Sequence, residues 1–129
     1  MLHRFSLKVY YEDTDLSGLV YYANYLKFIE RARSEWVRSL GIDQRTLKSQ
    51  LGVVFAVRKL EAEYIIPAKF DDLLEVITQI ESLTAARLIL CQEVCRDDEI
   101  LFQARVTLVS ISVSGKPTRL PAEIRLLQP

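Results

Sequence analysis

The sequence predicts an α+β fold in which a long antiparallel sheet wraps around one long helix. Residues 22–40 place apolar side chains at helical intervals, whereas most of the chain after Gly52 is rich in residues that favour strands. Short turns separate the later strands, so consecutive strands are expected to be antiparallel neighbours. A helix with one apolar stripe needs a surface to cover it, and the sheet is the only element large enough.

The first strand and the long helix are predicted at residues 4–12 and 22–40. The strand is rich in Phe, Leu, Val and Tyr, and a polar segment at 13–18 ends it. Arg38 and Gly41 are typical of the last turn of a helix and the residue beyond it. The stripe expected to face the sheet consists of Tyr25, Phe28 or Ile29, Ala32, Trp36 and Leu40.

Four further strands are predicted at residues 53–66, 73–81, 86–95 and 100–113, and short helices at 43–50 and 120–127. Pro67 ends the first of these strands, because proline cannot donate a hydrogen bond to a neighbouring strand. In the last strand Val106 and Leu108 point to one face, and Val109 and Ile111 point to the other. Apolar residues on both faces indicate that a partner chain covers part of the sheet.

Length and composition predict a single domain, residues 1–129, in the cytoplasm. Half of the residues are hydrophobic, which is enough for a core. Seventeen Lys and Arg residues balance seventeen Asp and Glu residues, which argues against a nucleic-acid partner. No apolar run approaches the roughly 18 residues of a membrane span, and residues 1–11 lack the features of a secretory signal.

The two cysteines do not predict a disulfide or a metal site. Cys91 and Cys95 lie four residues apart in one predicted strand, which separates their Cα atoms by about 13 Å, too far for a bridge. Two distant thiols also supply too few ligands for a metal ion. We interpret both cysteines as small buried apolar residues.

Most catalytic schemes are excluded by the residues that the chain lacks. The only histidine is His3, near the amino terminus, so neither a Ser-His-Asp nor a Cys-His arrangement is available. The four glycines do not form a phosphate-binding loop. If the chain is an enzyme, a carboxylate has to perform the chemistry.

Asp13 and Asp15 are the candidate carboxylates, because they lie in the break just before the long helix. The start of a helix presents free backbone N–H groups and the positive end of the helix dipole, which can polarise a carbonyl oxygen. A nearby carboxylate then attacks the carbonyl carbon or activates water. The alternative is that both aspartates only shape a turn and cap the helix, as this residue type often does.

A long motif in this region resembles a known family. Residues 9–33 read V-Y-Y-E-D-T-D-x-x-G-x-V-Y-Y-A-N-Y-L-x-F-x-E-R-A-R. This motif closely resembles the signature of the 4-hydroxybenzoyl-CoA thioesterase-like hotdog enzymes, and it is most similar to the bacterial branch encoded with the Tol–Pal envelope system. The likeness runs through most of the chain, with further matches at Tyr64, Pro67, Ala68, Asp71 and Asp72.

The resemblance implies a hotdog fold and hydrolysis of an acyl-CoA thioester to a free acid and CoA, without a metal or redox cofactor. Asp15 takes the position of the family's catalytic aspartate, which leaves open whether it is a nucleophile or a general base. Tyr22 takes the position whose backbone N–H holds the thioester oxygen. The family assembles at least as dimers and often as tetramers with the active site between subunits, so a homodimer or homotetramer is expected.

Tyr22 also departs from many members of the Tol–Pal branch, which have histidine at this position, whereas the hydroxybenzoyl-CoA branch can carry tyrosine. The departure leaves the backbone role intact but leaves the acyl preference open. Trp36 is interpreted as a core residue. Candidates for contact with the CoA phosphates are Arg58, Arg87 and Arg119. Glu30, Arg31 and Arg33 match the family motif, but salt bridges on the helix surface explain them about as well. The spacing would pair Glu30 with Arg33 and Arg31 with Glu35.

Two other functions are compatible with the same fold. A hotdog dehydratase normally uses a histidine, and His3 lies outside the motif. A non-catalytic acyl-carrier or envelope-assembly binding module would need no chemistry. Turnover of any acyl-CoA would exclude this second alternative as the whole account.

Overall fold

The computed structural model describes residues 2–127, which form six strands and one long helix. The strands are β1 (Leu2–Lys8), β2 (Val53–Tyr64), β3 (Leu73–Leu83), β4 (Arg87–Arg96), β5 (Glu99–Ser112) and β6 (Pro117–Thr118). The helices are α1 (Asn24–Ser39), α2 (Gln44–Thr46) and α3 (Ala122–Arg125). No helix in this part of the chain is long and apolar enough to cross a membrane.

The strands form one antiparallel sheet in the order β1-β3-β4-β5-β2, and β6 pairs with β5. Short turns join β3 to β4 and β4 to β5, as predicted. β2 directly precedes β3 in the chain, yet it pairs with β5 at the far edge of the sheet. The segment 65–72 therefore connects the two sides of the sheet, and we call it the crossover segment.

The core lies between α1 and one face of the sheet. The predicted stripe is buried on the helix, including Trp36, and only Leu40 remains half-buried. Burying one such large apolar side chain stabilises the fold by about 1.5–3 kcal/mol. The α+β architecture predicted from the sequence is confirmed. The fully buried sheet residues that face the helix include Val76, Leu90, Val94, Phe102 and Val106.

The start of the chain differs from the prediction in two boundaries. β1 ends at Lys8, because the backbone of Val9 turns to Asp72 and Asp71 of the crossover segment, and Tyr11–Asp13 then forms a 3-10 turn. α1 begins at Asn24, two residues later than predicted. Tyr22 consequently lies in the turn before the helix. The predicted helix at 43–50 is divided between α2 and a π-helical turn, Leu47–Leu51.

Arg33 does not join a salt-bridged helix face. No ion pair joins it to Glu30, or Arg31 to Glu35, among residues 2–127. Its guanidinium instead donates to the Gln92 side chain on β4 at 3.0 Å, beneath the helix. Burial of this guanidinium lowers the pKa of Arg33. The residue therefore helps to hold α1 against the sheet.

The outer face of the sheet carries half-buried apolar side chains, among them Val109 and Ile111. Cys91 and Cys95 share this face and form no disulfide. Cys95 is buried as predicted, whereas Cys91 is partly exposed and its thiol donates to Glu81 at 3.2 Å. Partial burial, followed by the hydrogen bond to Glu81, raises the pKa of Cys91 to about 11. This thiol therefore stays protonated at neutral pH.

Candidate active site

The segment between β1 and α1 folds into a small hairpin with Asp15 at its turn. A β-bridge joins Thr14 to Val20, and the Asp15 N–H donates to the Leu19 carbonyl at 2.8 Å. The Gly18 N–H closes the turn on the Asp15 carbonyl at 3.0 Å. Gly18 has a φ of +80°, a left-handed conformation that glycine adopts without a steric penalty. These backbone hydrogen bonds and the glycine therefore hold Asp15 in a tight turn.

The crossover segment supports the hairpin from the side. The Val20 N–H donates to the Ala68 carbonyl at 2.9 Å, and the Phe70 N–H donates to the Gly18 carbonyl at 3.2 Å. The crossover segment is itself anchored, because the Asp72 carboxylate accepts a hydrogen bond from Arg96 of β4 at 2.8 Å. The sheet thus fixes the position of the hairpin.

Asp13 is buried and serves the local fold. Its Oδ2 accepts a hydrogen bond from the Tyr10 N–H at 2.9 Å. Its carbonyl accepts from the Tyr21 N–H and from the Asn24 side chain, each at 2.9 Å. The structural role that sequence patterns left open for both aspartates therefore applies to Asp13, which joins the hairpin to the start of α1.

Asp15, in contrast, has an exposed side chain. Only Oδ1 is engaged, since it accepts from the Ser17 hydroxyl at 2.6 Å and from the Ser17 N–H at 2.9 Å. The Ser17 hydroxyl, with further help from backbone N–H groups, lowers the pKa of Asp15. Within residues 2–127 no donor reaches Oδ2. Asp15 is therefore a carboxylate at neutral pH with one oxygen free to react.

The start of α1 leaves backbone donors free. The Asn24 N–H bonds to the Tyr21 carbonyl at 2.8 Å and the Leu26 N–H to the Ala23 carbonyl at 3.2 Å, but in the described part of the chain the N–H groups of Tyr22 and Ala23 reach no acceptor. The cap residue Ala23 has no polar side chain, and the first turn contains no acidic residue. Nothing in this turn neutralises the positive end of the helix dipole.

Aromatic rings connect this helix start to the core. The exposed Tyr22 ring packs edge-on against Tyr64, the last residue of β2, at a centroid distance of 6.2 Å. Tyr64 in turn contacts the buried rings of Tyr25 and Phe102. The Tyr64 hydroxyl donates to the Tyr22 carbonyl at 2.9 Å. In the sequence, the only signal for Tyr64 is its match to the family.

Other candidate residues lie away from Asp15 within one chain. His3 pairs with Thr78 near the start of β1, about 17 Å along the strand from Lys8, where β1 ends. Arg87 pairs with Val109 of β5, and Tyr64 pairs with Phe102 of the same strand. The seven residues between these two positions separate Arg87 from the Tyr64 end of the sheet by roughly 24 Å. The three candidate arginines for CoA binding, Arg58, Arg87 and Arg119, are all exposed.

The geometry fits one class of protein. An exposed carboxylate lies in the hairpin that leads into an uncapped helix start, and the helix is covered by an antiparallel sheet. Residues 2–127 contain no cluster of His, Cys, Asp and Glu placed to hold a metal ion. The fold is that of the hotdog thioesterases, and the site is compatible with this class. A family model described as the thioesterase superfamily matches residues 17–103, and the chain belongs to this superfamily.

Similar curated proteins are named as acyl-CoA thioesterases. The chain is 38% identical over 122 residues to the acyl-CoA thioesterase YbgC of Haemophilus influenzae, with 94% of this chain and 90% of the relative covered. It is 40% identical over 125 residues to the acyl-CoA thioester hydrolase YbgC of Escherichia coli O157:H7, with 95% and 92% covered. The prediction that the chain is a thioester hydrolase is thereby confirmed. The Tol–Pal association stays a prediction.

Solved structures agree on the fold. A probable thioesterase from Bartonella henselae superposes with a TM-score of 0.90 at 40% identity, covering 94% of this chain and all of that one. A 4-hydroxybenzoyl CoA thioesterase mutant superposes with a TM-score of 0.89 at 19% identity, covering 95% of each chain. At that identity the likeness concerns the fold alone, and it confirms the predicted hotdog architecture.

Proposed function

We propose that the protein hydrolyses an acyl-CoA thioester to the free acid and CoA, using the Asp15 carboxylate and the backbone N–H of Tyr22. One observation carries the proposal: an ionised carboxylate with a free oxygen lies in the hairpin that leads into α1, and at the start of that helix the N–H groups of Tyr22 and Ala23 have no acceptor among the described residues. The first group can supply or activate a nucleophile. The second can hold the oxygen that becomes negative as the thioester carbonyl is attacked.

The reaction begins when the thioester carbonyl oxygen accepts a hydrogen bond from the Tyr22 N–H. Asp15 then either attacks the carbonyl carbon or removes a proton from the water that attacks it. In the first case the C–S bond breaks, CoA leaves as a thiolate, and water hydrolyses the resulting mixed anhydride. In the second case water adds directly and the tetrahedral intermediate expels CoA. Both routes proceed without an imidazole.

Rapid chemical quench followed by mass spectrometry separates the two routes. Attack by Asp15 places the acyl mass on the peptide that contains this residue during the first turnover. General-base catalysis leaves that peptide unmodified throughout the same time course. Asp15→Asn provides the matched control, because it cannot form the anhydride.

The proposed active site requires a partner subunit, and we propose a cytoplasmic homotetramer built from dimers. Leu16 at the tip of the hairpin is fully exposed, and Tyr11 and Leu73 nearby are also largely exposed. On the edge strand β2, Val57 is half exposed. Catalysis by a polar site is most effective when water is excluded, which one chain does not achieve around Asp15. Light scattering tests the assembly, and a fully active monomer would contradict it.

A substrate screen tests the function itself. The panel contains acyl-CoA thioesters of graded chain length and aromatic ones, and released CoA thiol is measured with a chromogenic disulfide. Wild type is expected to turn over at least one of them and Asp15→Asn none at a comparable rate. If the folded, assembled wild type hydrolyses no member, the non-catalytic acyl-binding alternative is favoured instead.

A further inference from the structure

The Tyr22 carbonyl has an unusual hydrogen-bond partner. In a regular α-helical start it would accept from the N–H four residues later, which belongs to Leu26. That N–H instead bonds to the Ala23 carbonyl at 3.2 Å, so the first turn is tighter than an α-helix. Among residues 2–127 the only donor to the Tyr22 carbonyl is the Tyr64 hydroxyl, at 2.9 Å.

Strand pairing and ring packing hold the Tyr64 hydroxyl at the Tyr22 carbonyl. It is the last residue of β2 and pairs with Phe102 of β5. Its ring packs edge-on against Phe102 at 5.0 Å and against Tyr25 at 5.5 Å between centroids. Desolvation first, and the neighbouring Tyr22 phenol second, raise the pKa of Tyr64. The hydroxyl therefore remains a donor across the physiological pH range.

We propose that Tyr64 is a positioning residue for the thioesterase reaction, because its hydroxyl fixes the peptide group between Tyr22 and Ala23, orients the free Ala23 N–H of that group and restrains Tyr22, whose own N–H is the proposed oxyanion donor. This inference rests on the proposed function. Without the bond, the peptide group can rotate and turn its carbonyl oxygen toward the developing oxyanion. A hydrogen bond to that carbonyl also polarises the peptide group and strengthens Ala23 N–H as a donor. Tyr64 itself need not touch the substrate.

Tyr64→Phe tests the proposal, because it removes only the hydroxyl and keeps the ring contacts. The expected loss is about tenfold in kcat, the equivalent of one net hydrogen bond, with KM within about twofold of wild type. Replacement of Tyr64 by 4-aminophenylalanine restores an N–H donor and should recover most of the activity. Tyr21→Phe is the matched control: Tyr21 is 47% exposed and Tyr64 48%, and the Tyr21 hydroxyl bonds to nothing in residues 2–127.

A spectroscopic measurement reads the peptide group directly. The dipeptide Tyr22–Ala23 is the only Tyr-Ala pair in the chain. Labelling tyrosine with ¹³C at the carbonyl and alanine with ¹⁵N therefore isolates a single signal from this peptide group. In Tyr64→Phe both chemical shifts should move, and in Tyr21→Phe the carbonyl shift should not.

Several results would overturn the positioning role. One is an unchanged kcat in Tyr64→Phe; a second is a rise in KM alone, which would mean direct contact with the substrate. A third is a 4-aminophenylalanine variant no better than phenylalanine. If the wild type hydrolyses no acyl-CoA, the proposed function fails, and the carbonyl signal still decides whether Tyr64 holds this peptide group. An unmoved signal overturns the inference, including its structural basis.

Discussion

The two ends of α1 are built in opposite ways. At the carboxyl end the Leu40 N–H bonds to the Val37 carbonyl and the Gly41 N–H to the Arg38 carbonyl, and the cationic Arg38 side chain is in the last turn. Gly41 adopts a left-handed φ of +85°, which ends the helix. At the amino end Ala23 offers no capping side chain, and two N–H groups reach no acceptor within the described part of the chain.

The contrast between the uncapped amino end and the capped carboxyl end of α1 separates groups that stabilise the fold from groups that remain free for a substrate. A capping side chain at the amino end would stabilise the helix by about 1 kcal/mol, yet alanine occupies the position. The same side chain would occupy the donors that a substrate oxygen needs. Free donors at one end and satisfied groups at the other support the proposal that the amino end serves the reaction and the carboxyl end serves the fold. Changes at the two ends should then have different consequences.

The largest effect is expected at Asp15, beside the amino end. Asp15→Asn keeps the shape of the side chain and removes its charge, so kcat should fall by about 10²–10⁴ while thermal stability changes little. Steady-state kinetics and thermal unfolding measure the two quantities. Asp13→Asn is the matched control, and because Asp13 accepts the Tyr10 N–H, its effect should appear mainly in stability. A greater loss of kcat in Asp13→Asn, with both variants folded, would contradict the assignment of roles.

The next effect concerns the donor at Tyr22. Tyr22→Pro removes the N–H and should lower kcat by about 10²–10³, as the loss of other oxyanion donors does. Tyr22→Phe and Tyr22→His keep the N–H and should stay within about tenfold of wild type. Circular dichroism and sizing must show that the proline variant folds and assembles. An equal loss of kcat in Tyr22→Phe and Tyr22→Pro would mean that the phenol hydroxyl, and not the backbone N–H, stabilises the transition state.

A change at the other end should affect only stability. In Gly41→Ala a Cβ would meet no atom within 4 Å, so the cost is the left-handed backbone alone, about 1–2 kcal/mol in the free energy of unfolding. Chemical denaturation measures this cost. At temperatures where the variant is folded, kcat should equal that of wild type. A tenfold loss of kcat in the folded variant would remove the distinction between the two helix ends.

The smallest effect is expected at His3. The residue lies near the start of β1, and the proposed mechanism uses no imidazole. His3→Ala should therefore leave kcat within about twofold of wild type. A hundredfold loss, about 2.7 kcal/mol of transition-state stabilisation, would support a histidine-assisted reaction such as that of the dehydratases.

Sequence patterns located most of the fold but not the hydrogen bonds at the site. The helical stripe and the β-rich runs follow from local periodicity, and α1 and β2–β5 lie where they were predicted. The start of α1 was misplaced by two residues, because the turn there depends on the Asp13 carbonyl accepting from Tyr21. Arg33 was compatible with a surface ion pair by spacing alone, whereas its true partner is Gln92, 59 positions away.

By itself the sequence determined the class of the protein. The resemblance of the motif at 9–33 to a known family implied that class, and the order of one strand, one helix and four strands and the lack of a usable histidine agreed with it. The family motif already assigned the catalytic position to Asp15, but only the tertiary structure showed that Asp13 is buried and hydrogen-bonded whereas Asp15 is exposed with one free oxygen. It alone also placed Tyr64 on the Tyr22 carbonyl, a contact across 42 residues that forms because the Tyr64 ring packs against Tyr25 of α1 and Phe102 of β5.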